Sequence, residues 1–378
     1  MNMNRQSTRL LSLDLLRGLI IVLMALDHAN HFIAQQHSSG EYWGGPLPVY
    51  ADALAFLTRL VTHLAAPGFF FLMGTGMILL IEARRKIGWS KWAITRYFLI
   101  RGTLLIALKF LIVNRAWEWS PGGWDLQTYI GVLFALGGAM IIGSGLVWLK
   151  PSQLLALTVV LVVGLALLVP PSSQWGQIRS IAVNDVFNLL FIYPGGTLEL
   201  WSNHPILPWL EFMTLGLVFG YWLIADSARA FKRALYLGAA LLVLFIVVHG
   251  LNGFGNIRPR TGSTWIDFLN VVKYPPSIAF ALLTMGINLI ILTVFAKVSE
   301  RARRWLQPLA IFGQAPLFFY ILHLFVYAAL GHLLTPHGTS IAAMYPYWLL
   351  GLLILFPLTW WYGRFKRRQP VTSIWRFF

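Results

Sequence analysis

The fold is decided by the stretch Arg17-Gly-Leu-Ile-Ile-Val-Leu-Met-Ala-Leu-Asp-His28, which places two polar side chains on one apolar helix. At 3.6 residues per turn the two residues lie about three turns apart. Arg17 and His28 therefore point the same way, separated by about 16 Å along the axis. Because polar groups inside a membrane helix are costly, this spacing predicts a polar path through a lipid bilayer.

The composition around this stretch is that of a multi-pass membrane protein. The chain has 378 residues, of which 58% are hydrophobic and 11% charged. A soluble core of this size cannot bury that much apolar surface. The 17 Trp residues fit the two interfacial belts of a bilayer. Cysteine is absent, which excludes disulfides, Cys-ligated metals and a cysteinyl acyl intermediate.

Ten apolar segments are long enough to cross a bilayer and predict ten helices. The segment Val186–Tyr193 is too short to span and is expected in the interface. A basic start without a small-residue cleavage site predicts that the first span is retained. The predicted spans are Leu10–Phe32, Ala55–Ile81, Tyr97–Val113, Tyr129–Leu149, Leu154–Val169, Ile206–Ile224, Ala234–His249, Ser277–Val298, Leu306–Leu333 and Tyr347–Tyr362.

The basic residues predict the orientation of these spans. The net charge of +16 is carried by short clusters between apolar runs, which is typical of membrane loops and not of a nucleic-acid-binding protein. Most loop cations fall on one side. The positive-inside rule then predicts an all-α polytopic bundle of about ten transmembrane helices, with both termini cytoplasmic and a single domain over 1–378. The loops of the other side carry only Arg59, Arg115, Arg179, Arg258, Arg260 and Lys273.

Three histidines within spans are candidates for proton transfer: His28, His63 and His323. A neutral imidazole accepts a proton from a hydroxyl or an amine near physiological pH. Asp27 could stabilise an imidazolium at His28, although neighbouring side chains on a helix point about 100° apart. The alternative is structural, because buried membrane histidines also serve as interhelical hydrogen-bonding groups.

Other polar residues have equally plain alternatives. Asp14 and Arg17 are three apart and could simply neutralise each other. Pro67 frees a backbone carbonyl and is expected to break the second span. His28 and His31 are one turn apart, but the dense histidine motifs of a membrane metalloenzyme are missing, so no metal is predicted. The basic loop clusters are topology signals or could hold phosphates.

These residues resemble a known group of enzymes. Arg17 and His28 reproduce the Arg-X10-His arrangement of the type-three membrane acyltransferases. The segments Ser12–Gly18 and His63–Gly74 resemble the heparan-α-glucosaminide N-acetyltransferase catalytic region and its bacterial relatives. Further segments similar to the bacterial branch are Lys273–Ser277, Gly313–His323 and Trp361–Arg368.

The resemblance implies a ten-helix bundle that takes acyl-CoA, expected to be acetyl-CoA, from the cytoplasm and acylates a sugar or glycan on the far side. It implies that Arg17 lines the acyl-CoA channel and that His28 is the catalytic base. The chain departs from the lysosomal enzyme, which has Asn in place of His28 and Asp in place of His63. That enzyme's catalytic histidine lies in the first luminal loop, which leaves His37 as a reserve base.

The predicted function is thus acyl-CoA-dependent O- or N-acyl transfer in a bacterial inner membrane. A transporter or flippase for a polar or sugar-linked substrate is the main alternative, and a non-catalytic scaffold is the third. Acceptor identity, acyl chain and direct transfer versus an acyl-enzyme stay open. The predicted catalytic residues are His28, Asp27 and His63; Arg17, Arg96 and Arg101 are predicted to bind acyl-CoA, and Asp14, Asn30, His31 and His323 to bind the acceptor.

Overall fold

A computed structural model describes residues 2–37, 40–170, 173 and 183–378, with the backbone alone for 2–10, 183 and 184. The described part is mainly helical. Two π-helical turns, Asn30–Ala34 and Lys109–Val113, interrupt it. The helices are α1 Asn2–Ala29, α2 Ala53–Thr62, α3 Ala65–Arg85, α4 Lys91–Leu108, α5 Asn114–Glu118, α6 Val132–Leu146, α7 Pro151–Leu168, α8 Val183–Phe191, α9 Ile206–Ala225, α10 Ser227–Gly250, α11 Trp265–Leu269, α12 Ile278–Ala296, α13 Glu300–Trp305, α14 Gln307–Gln314, α15 Pro316–Leu334 and α16 Ile341–Arg368.

Eight helical segments of the described chain are long and apolar enough to cross a membrane. Two more helices coincide with predicted spans: α6, which has 15 residues, and α1, which carries Asp14, Arg17 and Asp27. The prediction of an all-α polytopic membrane protein is confirmed. The eight segments are Ala53–Arg85, Lys91–Glu118, Pro151–Leu168, Ile206–Ala225, Ser227–Gly250, Ile278–Ala296, Pro316–Leu334 and Ile341–Arg368.

Two predicted spans contain breaks. The break expected from Pro67 lies between Thr62 and Ala65, because proline has no N–H to bond the carbonyl four residues earlier. The continuous span predicted over Leu306–Leu333 is wrong. Ala315 (φ −130°, ψ 60°) separates α14 from α15, since the residue before a proline avoids helical dihedral angles.

The first helix lies inside the bundle and is surrounded by α3, α12, α14, α15 and α16. Its Leu15, Leu16 and Ile20 side chains are fully buried. Gly18 allows α14 to approach, because a Cβ atom there would overlap the Leu309 carbonyl oxygen. A helix enclosed on all sides can carry charged residues within a membrane, because they face protein instead of lipid.

Basic residues from different loops converge at the end of the bundle where α1 begins. Arg85 and Lys91 lie over the Trp148 ring, 5.9 and 5.6 Å from its centroid. Lys366 lines the same cavity as Arg17. This clustering agrees with the charge asymmetry of the sequence, and a cytoplasmic location for this end stays a prediction.

A small sheet covers the end of the bundle where α1 finishes. It consists of β1 Thr128–Ile130, β2 Gly195–Gly196 and β3 Leu200–Ser202. The central strand β3 pairs in parallel with β1 and antiparallel with β2. The strands β1 and β3 carry Tyr129 and Trp201, which line the same cavity as His28.

Candidate active site

Two cavities lie one after the other along α1. The larger one, of about 750 Å³, is lined by Asp27, His28 and His31 and is called the histidine cavity below. The smaller one, of about 280 Å³, is lined by Arg17 and is called the arginine cavity. Phe69, Val132 and Tyr320 line both, and the cavities therefore meet at these three side chains.

The same helices line both cavities in a consistent order. Arg101 of α4 lines the arginine cavity, and Lys109, eight residues further on in the π-helical turn that follows α4, lines the histidine cavity. On α15, Leu317 faces the arginine cavity and precedes the shared Tyr320. Together with Arg17 and His28 on α1, this order shows that the two cavities follow one another along the helix axes and meet at the three shared residues.

The His28 imidazole pairs with that of His323. The Nδ1 atom of His28 lies 2.6 Å from Nε2 of His323. His323 Nδ1 lies 3.0 Å from the Phe319 carbonyl oxygen, which only accepts, so this nitrogen carries the proton. In a neutral pair His323 Nε2 must then accept from His28 Nδ1–H. His28 Nε2 is left with a free lone pair, as a general base requires.

Two further histidines of the histidine cavity are differently engaged. His37 Nε2 lies 2.9 Å from Arg59 Nη1 and 3.3 Å from Asp27 Oδ1. As a neutral ring it accepts from Arg59, and as a charged ring it donates to Asp27, so in both states this nitrogen is occupied. His31 Nε2 is 3.2 Å from the Ser120 hydroxyl. His28 and His31 thus face separate partners.

His63 lies behind the cavity. Its ring is 3% exposed and packs on Phe280, and its Nε2 is 3.8 Å from Glu41. His204 does line the histidine cavity, although no sequence pattern around it points to a functional role. Burial lowers the pKa of His204 well below its ordinary value, so this imidazole is neutral.

A buried guanidinium closes one wall of the histidine cavity. Arg59 binds both carboxylate oxygens of Glu41 at 2.7 Å and contacts Asp27 at 2.5 Å. Thr62 and Tyr50 donate further hydrogen bonds to Asp27 and Glu41. Burial by itself would raise the pKa of Glu41, but the charge and hydrogen bonds of Arg59, together with His63 and Lys273, lower it to about 2. The two carboxylates are therefore ionised and fixed.

Aromatic and amide groups form the opposite wall. Tyr42 donates to Asn203 Oδ1, and Asn203 Nδ2 donates to the Tyr129 hydroxyl at 3.1 Å. Trp201 Nε1 donates to the same Asn203 oxygen. Burial raises the pKa of Tyr42 well above its usual value, so the phenol is a neutral donor. Planar rings beside hydrogen-bonding groups are typical of sugar-binding sites.

The arginine cavity combines apolar walls with cations. Arg17 pairs with Asp14 at 2.7 Å and donates to the Gly313 carbonyl at 3.1 Å. Arg101 and Lys366 also line it, and both donate to backbone carbonyls of the chain's final residues. Most of the remaining lining is aliphatic or aromatic.

The structure brings only part of the predicted site together. Asp27, His28 and His31 line the histidine cavity, and Arg17 and Arg101 line the arginine cavity. Asp14 lies at the Arg17 end of α1, far from any acceptor beside His28. Arg96 is exposed on α4. The predicted residues that line neither cavity are His63, Arg96, Asp14, Asn30 and His323.

Several residues of the site escaped the sequence reasoning. Arg59 and Lys273 counted only as loop charges, yet both are buried, with 2% and 4% exposure. Lys109 lies within the predicted span Tyr97–Val113 and lines the histidine cavity from a π-helical turn. Each of these three cations stands alone among apolar residues in the sequence, and this isolation could have identified them. A single charge buried in a membrane protein requires a partner or a function.

Comparison with known proteins gives two further findings. A family model described as "Heparan-alpha-glucosaminide N-acetyltransferase, catalytic" matches residues 9–252. Heparan-alpha-glucosaminide N-acetyltransferase of Mus musculus is 30% identical over 131 residues, which is 35% of this chain and 18% of the relative. The Homo sapiens protein of the same name is 30% identical over 129 residues, which is 34% of this chain and 17% of that protein. The chain thus matches less than a fifth of either relative.

Proposed function

The chain belongs to the heparan-α-glucosaminide N-acetyltransferase catalytic family, and we propose that it transfers an acetyl group from acetyl-CoA to a hydroxyl or amino group of a glycan. The two cavities on α1 support this proposal. The smaller one is lined by Arg17, Arg101 and Lys366 among apolar side chains, and the larger one is lined by histidines, tyrosines and tryptophans. A two-substrate transfer needs such a pair of adjoining sites, because holding both reactants together supplies much of the rate enhancement.

The donor belongs in the arginine cavity. Arg17, Arg101 and Lys366 would bind anionic or carbonyl oxygen atoms of acetyl-CoA, and the apolar lining would accept the slender pantetheine arm. A volume of about 280 Å³ suits that arm and leaves the nucleotide outside, near the basic loops. We further propose a bacterial plasma membrane, with this end of the bundle facing the cytoplasm.

His28 is the proposed general base. Its Nε2 lone pair is free because Nδ1–H donates to His323. The ring lines the histidine cavity, about 16 Å along α1 from Arg17. This separation is of the order of an extended pantetheine arm. His323 fixes the tautomer and the ring orientation of His28 and is therefore a positioning residue.

In the proposed reaction His28 carries one proton from the acceptor to the departing thiolate. As the acceptor's O–H or N–H attacks the thioester carbonyl, His28 Nε2 takes the proton and becomes an imidazolium. When the carbon–sulfur bond breaks, the same imidazolium returns the proton to the departing thiolate. The products are acetylated glycan and free CoA, and His28 is neutral again. A thioester supplies a reactive carbonyl and a good leaving group.

The Asp27–Arg59–Glu41 cluster stabilises this cycle electrostatically. Asp27 faces the histidine cavity next to His28, and its charge favours the transient imidazolium. Arg59 keeps Asp27 in place and ionised. His37 is bound into the same cluster, which favours His28 over His37 as the base.

The observation that carries the proposal is the free Nε2 of His28 in a cavity that adjoins the arginine cavity. The test measures CoA release from acetyl-CoA by purified protein, with methyl α-D-glucosaminide and D-glucuronate, each tested separately, as probe acceptors. We expect acceptor-dependent CoA release that His28→Ala abolishes. His332→Ala, on exposed His332 of α15, is the control. Absence of acceptor-dependent CoA release from the wild type would contradict the proposal, and movement of acceptor across vesicles without CoA release would instead indicate a transporter.

A further inference from the structure

The histidine cavity contains a buried cation that the proposed mechanism does not use. Lys273 is 4% exposed and lines this cavity. Its ammonium group lies 5.0 Å from the Tyr274 ring centroid. Among the residues that the structure describes, this group has no hydrogen bond and no ion-pair partner. A buried ammonium that no carboxylate contacts directly is costly unless a ligand compensates its charge.

A second lysine faces the same space. Lys109 is 1% exposed, donates to Asn114 and lies 4.4 Å from the Tyr129 ring centroid. Asn203 hydrogen-bonds to Tyr129 and, on its other side, to Tyr42, whose ring stacks on Tyr274 at 5.1 Å. The tyrosines under the two lysines therefore belong to one connected wall.

The charges around the cavity do not cancel. The buried carboxylates are Asp27 and Glu41, and Arg59 binds both. Arg59, Lys109 and Lys273 are the basic groups, and when all three are protonated, three positive charges face two negative ones. With neutral histidines the described site keeps a net charge of +1. Burial and nearby Arg59 lower the pKa of Lys273 to about 8, so the lysine is still mostly protonated at pH 7.

We infer that the acceptor carries one negatively charged oxygen group beside the sugar hydroxyl or amine that is acetylated, and that Lys273 binds this group with Lys109 as a second cation. The inference rests on the proposed function and specifies its substrate class as an acidic sugar. One anionic group would neutralise the site. The rings of Trp201 and Tyr42 provide apolar surface for the sugar plane.

The test compares binding of two probes that differ only in charge: D-glucuronate and its neutral isostere D-glucuronamide. Binding to purified full-length protein is measured calorimetrically at pH 7, together with acetyl-CoA binding. We expect the wild type to bind glucuronate at least about tenfold more tightly than the amide, as a charge-assisted hydrogen bond provides. Lys273→Gln should bring the ratio to within about twofold without changing the acetyl-CoA affinity, whereas Lys273→Arg should keep the preference.

The matched control is Lys232→Gln. Lys232 is exposed on α10 and also lies over a tyrosine ring, that of Tyr236. Equal affinities in the wild type, or no binding of glucuronate, would overturn the inference, and neither outcome requires a variant to fold. A preference retained in Lys273→Gln, or a loss of acetyl-CoA affinity there, would equally overturn it. Because binding is measured without turnover, failure of acetyl transfer with an intact acid preference would refute only the proposed function.

Discussion

Replacing His323 with phenylalanine tests the proposed tautomer of His28. His323 is fully buried and lies among Phe319, Tyr320 and Tyr327. A phenyl ring of similar size and shape fits this aromatic surrounding. The substitution removes the nitrogen that accepts the hydrogen bond from His28 Nδ1–H, together with the Nδ1–H that donates to the Phe319 carbonyl one turn earlier on the same helix. We therefore expect a change in catalysis with little change in packing.

The size of the effect follows from the lost acceptor. A buried N–H without a partner costs about 1–3 kcal/mol. In the variant His28 avoids this cost by moving its proton to Nε2, which faces the cavity. The tautomer with a free Nε2 lone pair then becomes about 5-fold to 150-fold rarer, at about 1.4 kcal/mol per factor of ten. Because only this tautomer accepts the proton, kcat should fall by the same factor.

The assay is steady-state CoA release together with a direct measurement of acetyl-CoA affinity. We expect His323→Phe to lower kcat and to leave the Kd for acetyl-CoA unchanged. His323→Gln, which keeps an acceptor oxygen, should recover part of the rate. His332→Phe, at an exposed position of the same helix, is the control. A correctly folded His323→Phe protein with wild-type kcat would refute the tautomer argument, and a loss confined to acetyl-CoA affinity would assign His323 to the donor site.

Three other predictions follow from the same geometry. Arg17→Gln should weaken acetyl-CoA binding by about tenfold and leave glucuronate binding intact. Calorimetry with each ligand measures both affinities. An unchanged acetyl-CoA affinity would show that Arg17 is not part of the donor site. Glu41→Gln should destabilise the protein by about 3–5 kcal/mol, because it leaves Arg59 with half its buried partners. Since the folded pKa of Glu41 is about 2 and its ordinary value 4.5, the carboxylate contributes stability above pH 4.5 that disappears toward pH 2. The variant's Tm should therefore vary less over that range, and an equally steep acid dependence would contradict this. The preference for glucuronate over glucuronamide should be lost as the pH rises through about 8, because Lys273 then loses its proton. The charged groups around this lysine are Arg59, Asp27 and Glu41. A preference that persists at pH 10 would contradict the assignment of Lys273.

Much of the fold followed from the sequence because hydrophobic length is a strong signal in a membrane protein. The predicted segments coincide with eight spanning helical segments, α1 and α6. The break near Pro67 was predictable because proline acts locally. The separation of α14 from α15 was missed because apolar residues continue on both sides of Gly313-Gln-Ala-Pro316, although Pro316 is the local signal for the break.

The site was less predictable because it depends on contacts between distant segments. Residues 28 and 323 are 295 positions apart, and no spacing rule relates them. Arg59 looked like an ordinary loop cation, and only the fold shows that it holds Asp27 and Glu41. The π-helical turns that carry His31 and Lys109 are likewise invisible in hydrophobic periodicity. Local spacing could predict Arg17 and His28 because both lie on one helix.

Placing both ends of the reaction path on one enclosed helix has a mechanical consequence. The distance from Arg17 to His28 is fixed by backbone hydrogen bonds and does not depend on a loop. The α14 packing at Gly18 and Gly313 holds the first end, and the His323 contact holds the second. A donor bound at Arg17 would therefore present its thioester at a constant depth, beside a base whose tautomer is already set. In the proposed reaction the choice of sugar substrate therefore depends on the histidine cavity. There Lys273 and the aromatic wall would select the sugar that reaches His28.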